Sequence, residues 1–206
     1  MAQRYRDHVK TKNILSAFLR GEESAVAEEL AKAPGWKIVA RGGKFKAHPA
    51  DLKFDTLKEG FRIAKPKDVD PITRLINGAY DNFLEGRVSP RWVERDMFQP
   101  GWFNVLLEEK GEACALGCLI LEDNSAEINW VSVLPSFQSK GLGRRVMNIL
   151  LTEASKHELA EIKLCHASKT PWATDFYTGF GFRPEGSEID FVAYKTKELP
   201  LISQNP

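Results

Sequence analysis

The sequence has no apolar run near the ~20 residues that a membrane helix requires, so no membrane partner is expected. It has no charge excess either. The formal net charge is +1, which gives bulk electrostatics no reason to draw in nucleic acid. Cysteine is scarce: Cys114, Cys118 and Cys165 each fall in an apolar, strand-like run. An odd count in such runs, without metal-ligand spacing, reads as reduced core thiols in a cytosolic-type compartment and predicts no metal. Two phosphate-binding loops are excluded. No G-x-x-x-x-G-K-S/T occurs, and the dinucleotide fingerprint needs a third glycine where Val146 stands. Repeats and low-complexity tracts are absent. The first twenty residues are basic, with Arg4, Arg6, Lys10, Lys12 and Arg20 against Asp7. A cytoplasmic location is expected, with mitochondrial import through that basic segment as the alternative.

What is present is ordinary globular composition, 43% hydrophobic and 28% charged over 206 residues, enough for one sizeable core with an appendage. Residues 1–58 differ in character from the rest. Ile14, Leu15, Phe18 and Leu19 have helical spacing, Ala25–Ala33 reads as a second helix, and WKIVA and KFKA around Arg41-Gly42-Gly43 read as a hairpin. They are taken as an N-terminal helical and hairpin extension, with the main domain spanning 59–206. In that domain FRIA (61–64) reads as a strand. Asp68 is an N-cap candidate for a helix carrying Ile72, Leu75, Ile76 and Ala79, and a short helix follows over Pro90–Phe98. Strands at 103–109, 113–122 and 126–134 form a meander. A helix with a Leu142, Val146, Ile149, Leu150 stripe follows, then a strand at 161–167 and a helix over Pro171–Thr178. A last pair of strands is expected at Phe182–Pro184 and Phe191–Lys195. The order is βααβββαβαββ, which predicts an α/β domain (α+β type) with helices packed on a central sheet.

The densest chemistry lies in SVLPSFQSKGLGRR, residues 132–145. Pro135 ends the pairing of a strand. Glycines at 141 and 143 let backbone approach a ligand closely, just where a helix begins. The first amides of a helix lack intrahelical acceptors and sit at the positive end of its dipole, so they suit phosphate oxygens. Lys140, Arg144 and Arg145 add charge that can pair with phosphate.

This stretch resembles the acyl-CoA motif of the GNAT superfamily of N-acyltransferases: a strand ending V-x-P, then Q/R-x-x-G-x-G/A, then a helix. Val133-Leu134-Pro135 and Gln138 to Gly143 match it in type and spacing. A second signature, an aromatic-Tyr segment closing on Gly-Phe, matches Phe176-Tyr177-Thr178-Gly179-Phe180. The resemblance covers about two-thirds of the chain and leaves residues 1–58 outside. It implies a mixed, largely antiparallel central sheet flanked by helices. It also implies acetyl-CoA as co-substrate, with no metal.

Residue by residue, the resemblance places the CoA pyrophosphate on the backbone of Gln138, Ser139, Lys140, Gly141, Leu142, Gly143 and Arg144. Val131 and Val133 lie where a splayed strand end meets the pantetheine arm and polarises the thioester. Thr170 is assigned to the cofactor as well: it stands where the family often has a cofactor-contacting Asn, and it offers a hydroxyl in place of the amide. Tyr177 matches the tyrosine that protonates the departing thiolate. Glu127 holds the position of the family's base. Strand alternation is expected to put Glu127, Asn129, Val131 and Val133 on one face. A base is needed because a lysine-like amine has a pKa of about 10.4, so freeing it at neutral pH costs about 4–5 kcal/mol. Glu85, Asp81 and Asp175 are other carboxylates that remain open for that part. His166 reads as a structural histidine with satisfied hydrogen bonds. Tyr80, Glu85, Trp130 and Trp172 are assigned to the acceptor pocket, with core packing as the plain alternative for both tryptophans.

The expected function is transfer of an acetyl group from acetyl-CoA to an amine by direct attack in a ternary complex. A small amine is favoured because no long docking tract of one charge is visible. A protein lysine or N-terminal acetyltransferase is the alternative, and a non-catalytic CoA-binding regulatory module is the alternative of another class. Residues 1–58 are open to three roles: packing on the domain, carrying a protein substrate, or mediating formation of a homodimer.

Overall fold

The computed structural model describes residues 16–17, 32, 36–80, 88–167 and 172–194. The strands are β1 (Ser16–Ala17), β2 (Trp36–Ala47), β3 (Arg62–Ile63), β4 (Trp102–Glu109), β5 (Glu112–Leu121), β6 (Ser125–Val133), β7 (Glu161–Ala167) and β8 (Arg183–Tyr194). The helices are α1 (Val69–Ala79), α2 (Pro90–Asp96), α3 (Leu142–Ala154) and α4 (Trp172–Thr178). All strands form one sheet in the order β1-β8-β2-β7-β6-β5-β4-β3, antiparallel except for the β6–β7 pair. The expected fold class is therefore the observed one, and the meander β4–β6 lies within a residue of its expected bounds.

Three local readings are corrected. The hairpin expected around Gly42-Gly43 is a single strand, β2, which lies between β7 and β8. Its glycines serve a bulge against β8 between Gly42 and Lys44, not a turn. A Cβ on Gly43 would stand 3.1 Å from the Phe45 ring and 3.7 Å from His166 Nε2, so the glycine makes room for two rings. The expected last pair of strands is also one strand, β8. Gly186, at φ +72, sits inside the irregularity that reads in sequence as a break. Finally, Ser16–Ala17, inside the expected first helix, pairs as β1 with Val192–Ala193. The expected helix at 25–33 lies outside the described residues except for Lys32.

The sheet separates two apolar layers. On one face, Ile72, Leu75 and Ile76 of α1 and Val93 of α2 pack with Leu106, Leu116 and Cys118. On the other, Val146, Ile149 and Leu150 of α3 pack with Val105, Ala115, Leu119, Ala126, Ile128, Ile162 and Leu164, and Phe176 and Tyr177 of α4 join them. The stripe read along α3 is thus its buried face. Gly117 lets α3 lie against the sheet, since a Cβ there would come within 2.3 Å of Val146 Cγ1. Asp68 does not cap α1 with its side chain. Its buried carboxylate accepts from Lys65 N and from Arg62 Nη1, each at 2.7 Å, and Arg62 Nε also donates to Glu108 at 2.7 Å. This arrangement ties β3 and β4 to the start of α1.

Candidate active site

The loop between β6 and α3 is built to leave its amides free. After a 3-10 turn at Pro135–Phe137, the Gln138 side chain donates from Nε2 to Val133 O at 3.1 Å and folds the loop back on its own strand. Ser139 (φ +61) and Gly141 (φ +79) both adopt left-handed backbone on either side of Lys140. The first helical bond runs from Arg145 N to Gly141 O at 3.0 Å. The amides from Ser139 to Arg144 have no hydrogen-bond partner among the described residues. Nothing lies within 4 Å of a Cβ placed on Gly141, so the approach is open there. Lys140 Nζ lies 4.7 Å from the Phe137 ring centre and Arg144 Cζ 5.0 Å from that of Phe180. Arg145 differs: its guanidinium donates to Gly60 O at 2.8 Å, so it is drawn away from the loop it was expected to serve.

Just before that loop, β6 parts from β7. Their parallel pairing covers Ser125–Ile128 against Glu161–Leu164 and goes no further. Along the other edge β6 stays with β5, but the register shifts: Cys118 faces Asn129, whereas Leu116 faces Ser132. The additional residue makes a bulge at Trp130, whose φ of +49 is an outlier for a bulky side chain. Leu134 N bonds toward β5, to Cys114 O at 3.0 Å. Alternation therefore turns the amides of Val133 and Val131 toward the gap beside β7.

The bulge also reverses the phase of β6, which corrects the expectation that Glu127, Val131 and Val133 share a face. Residues opposite one another in an antiparallel pair lie on the same face. Glu127, Asn129 and Ser132 face Ile120, Cys118 and Leu116, on the side of α1 and α2, whereas Val133 faces Ala115 and joins the α3 layer with Val131. Glu127 is half-buried, and Asn129 Nδ2 donates to its Oε1 at 3.4 Å. On the same side the Trp130 indole meets Tyr80 edge-on at 5.6 Å and Trp92 at 5.7 Å. The Tyr80 hydroxyl donates to Val131 O at 3.1 Å, and burial pushes its pKa up.

Tyr177 lies on the opposite side of the gap. Its ring stacks on His166, with centres 5.6 Å apart and planes at 25°, and it also contacts Phe45 and Phe176. Burial, with a small contribution from Tyr80, raises its phenol pKa well above the usual value, so it holds its proton at neutral pH. His166 is not satisfied as expected. Both ring nitrogens are buried without a hydrogen-bond partner among the described residues, and burial lowers its pKa.

The structure thus brings together Val131, Val133, the 138–144 loop, Tyr177 and His166 around one gap, with Glu127, Tyr80 and Trp130 across the sheet. Glu85, Asp81 and Thr170 lie outside the described residues, and Trp172 is described only as the start of α4. Asp175 is exposed on α4. Trp92 and Ser132 join Glu127, Tyr80 and Trp130 on that side of the sheet although the sequence did not mark them. Trp92 had a helical position as its signal, whereas Ser132 depends on a bulge that no residue pattern announces. Among the described residues no three His, Cys, Asp or Glu side chains converge as metal ligands, and no helix is long and apolar enough to cross a membrane.

A parallel pair of strands that opens beside a helix with free N-terminal amides is an anion-binding mouth next to an unpaired strand edge. Residues 65–193 match the family model described as an acetyltransferase (GNAT) domain. That is more than half of the chain, and the protein belongs to this family of acyltransferases. Solved structures agree on the fold. A GCN5-related N-acetyltransferase from Kribbella flavida superposes with a TM-score of 0.58 at 20% identity, over 93% of this chain and 73% of that one. A functionally unknown conserved protein from Staphylococcus epidermidis gives 0.61 at 12% identity, over 95% and 82%. The ribosomal-protein-S18-alanine N-acetyltransferase of Escherichia coli gives 0.55 at 17%, over 69% and 97%.

Proposed function

We propose that this protein transfers an acetyl group from acetyl-CoA to a small amine by direct attack within a ternary complex. The observation that carries the reading is the run of unpartnered amides from Ser139 to Arg144 beside a strand whose last residues have left their neighbour. The residues fit the co-substrate: free amides and the cations of Lys140 and Arg144 suit a diphosphate. The gap beside Val131 and Val133 suits an extended arm with backbone hydrogen-bonding groups. Acetyl-CoA supplies an activated acyl group as a thioester. Tyr177, kept protonated by burial, donates its proton to the leaving sulfur. An amide at Val131 or Val133 meets the charge that develops on the thioester oxygen. Glu127 takes the proton of the incoming ammonium from the α1–α2 side, and Tyr80, Trp92 and Trp130 wall the acceptor there. Acid and base thus lie on opposite faces, and the two reactants meet in the gap.

Calorimetry with acetyl-CoA and CoA, followed by a turnover screen over amines with Tyr177→Phe and Glu127→Gln, tests this reading. Binding with amine-dependent release of CoA, reduced in both variants, is the expected result. No heat at millimolar ligand overturns it. Turnover only on peptide amines would move the acceptor to a protein, and binding without turnover would leave a regulatory CoA-binding module.

A further inference from the structure

Resting on that reading, we infer that His166 is a donor-side positioning residue, whose imidazole hydrogen-bonds the secondary amide nearest the sulfur of the pantetheine arm. His166 is two residues beyond Leu164, the last β7 residue paired with β6, so it borders the gap between those strands. It belongs to the same alternating set as the buried Ile162 and Leu164, which places it on the α3–α4 face with Tyr177.

The ring is held on its faces. Tyr177 stacks on it at 5.6 Å and Phe45 lies at 5.1 Å, while Gly43 opposite leaves space for it. Packing therefore fixes the plane of the imidazole without using either nitrogen. Both nitrogens are buried and lack a partner among the described residues. A buried polar atom left this way costs about 1–3 kcal/mol, so an internal core position would favour Phe here. The arrangement makes sense if a ligand completes it.

The chemistry of the ligand follows from the state of the ring. Burial holds the imidazole neutral at pH 7, with one N–H donor and one lone-pair acceptor. A secondary amide can meet either nitrogen, its carbonyl taking the ring N–H or its N–H meeting the ring lone pair, whereas a phosphate would ask for donors alone. Tyr177, the stacked neighbour, is the group assigned to the sulfur. The amide two carbons from that sulfur is the polar group an adjacent ring meets.

The test compares CoA with 3′,5′-adenosine diphosphate, which keeps the nucleotide and lacks the arm. The chain has four histidines, and loss of one imidazole signal in His166→Phe assigns this one in nitrogen-15 spectra. CoA is expected to shift the His166 ring nitrogens, and the diphosphate to leave them in place. His166→Phe, which keeps the stack, is expected to bind CoA roughly tenfold more weakly, about 1.4 kcal/mol, with unchanged affinity for the diphosphate. His166→Gln, which restores a donor and an acceptor, should recover part of the loss. Unmoved imidazole signals with CoA bound, or equal weakening toward both ligands, would overturn the inference and leave the proposed function standing. A protein that binds neither ligand overturns both.

Discussion

The two halves of β6 are made of similar residues and live by different rules. Ala126–Ile128 is paired on both edges, to β5 and to β7, and its backbone is spent on the sheet. Beyond Trp130 one edge is open. The strand has changed phase, and side chains that alternate in sequence no longer alternate in space. One strand thus begins as scaffold and ends with a free edge, the edge to which the proposed function assigns the co-substrate, and the change costs a single strained residue.

The largest effect should come from the chemistry at the open half. Tyr177→Phe and Glu127→Gln should each lower kcat by roughly a hundredfold or more without changing the melting temperature, read by steady-state turnover and thermal melts. A pair of variants that turned over normally would leave the open half a binding surface only. Next, Gly117→Ala probes the contact that holds α3 under the bulge. Its Cβ would fall 2.3 Å from Val146 Cγ1, and overpacking of this kind costs about 1–3 kcal/mol, measurable by urea unfolding. CoA affinity should fall with it, because α3 carries the free amides.

Smaller effects sit on the scaffold side. Asp68→Asn removes a buried charge that accepts from Arg62 and Lys65 N, and should cost about 1–2 kcal/mol of stability. The Arg62 guanidinium beside it holds the Asp68 carboxyl below its usual range. Its contribution is therefore present above the unfolded value of about 3.9 and is lost as pH falls through the lower folded value. The smallest effect concerns His166, whose folded pKa is depressed by burial. Stability should begin to fall as pH drops below the unfolded value of about 6.5, and should level off once the folded pKa is passed. Comparing urea midpoints at pH 7 and pH 5 for the wild type and His166→Phe isolates that share.

What sequence made legible was whatever short-range chemistry specifies. The V-x-P end of β6, the Gln138–Gly143 spacing and the stripe on α3 place the loop and the helix because proline, glycine and periodicity act locally. The face of Glu127 was not legible, because it depends on a left-handed tryptophan that no propensity favours. Nor was β2: Gly42-Gly43 reads as a turn until a strand from the far end of the chain pairs across it. His166 was misjudged for a related reason, since its partners are set by rings from β2 and α4, elements distant in sequence.

The place of β2 bears on how the chain is made. This early segment ends up in the interior of the sheet, yet both strands that flank it, Glu161–Ala167 and Arg183–Tyr194, leave the ribosome much later. Until then its two edges are open to any passing chain. Late closure of the sheet, with the edges of β2 exposed until the last strand is made, follows from that single insertion.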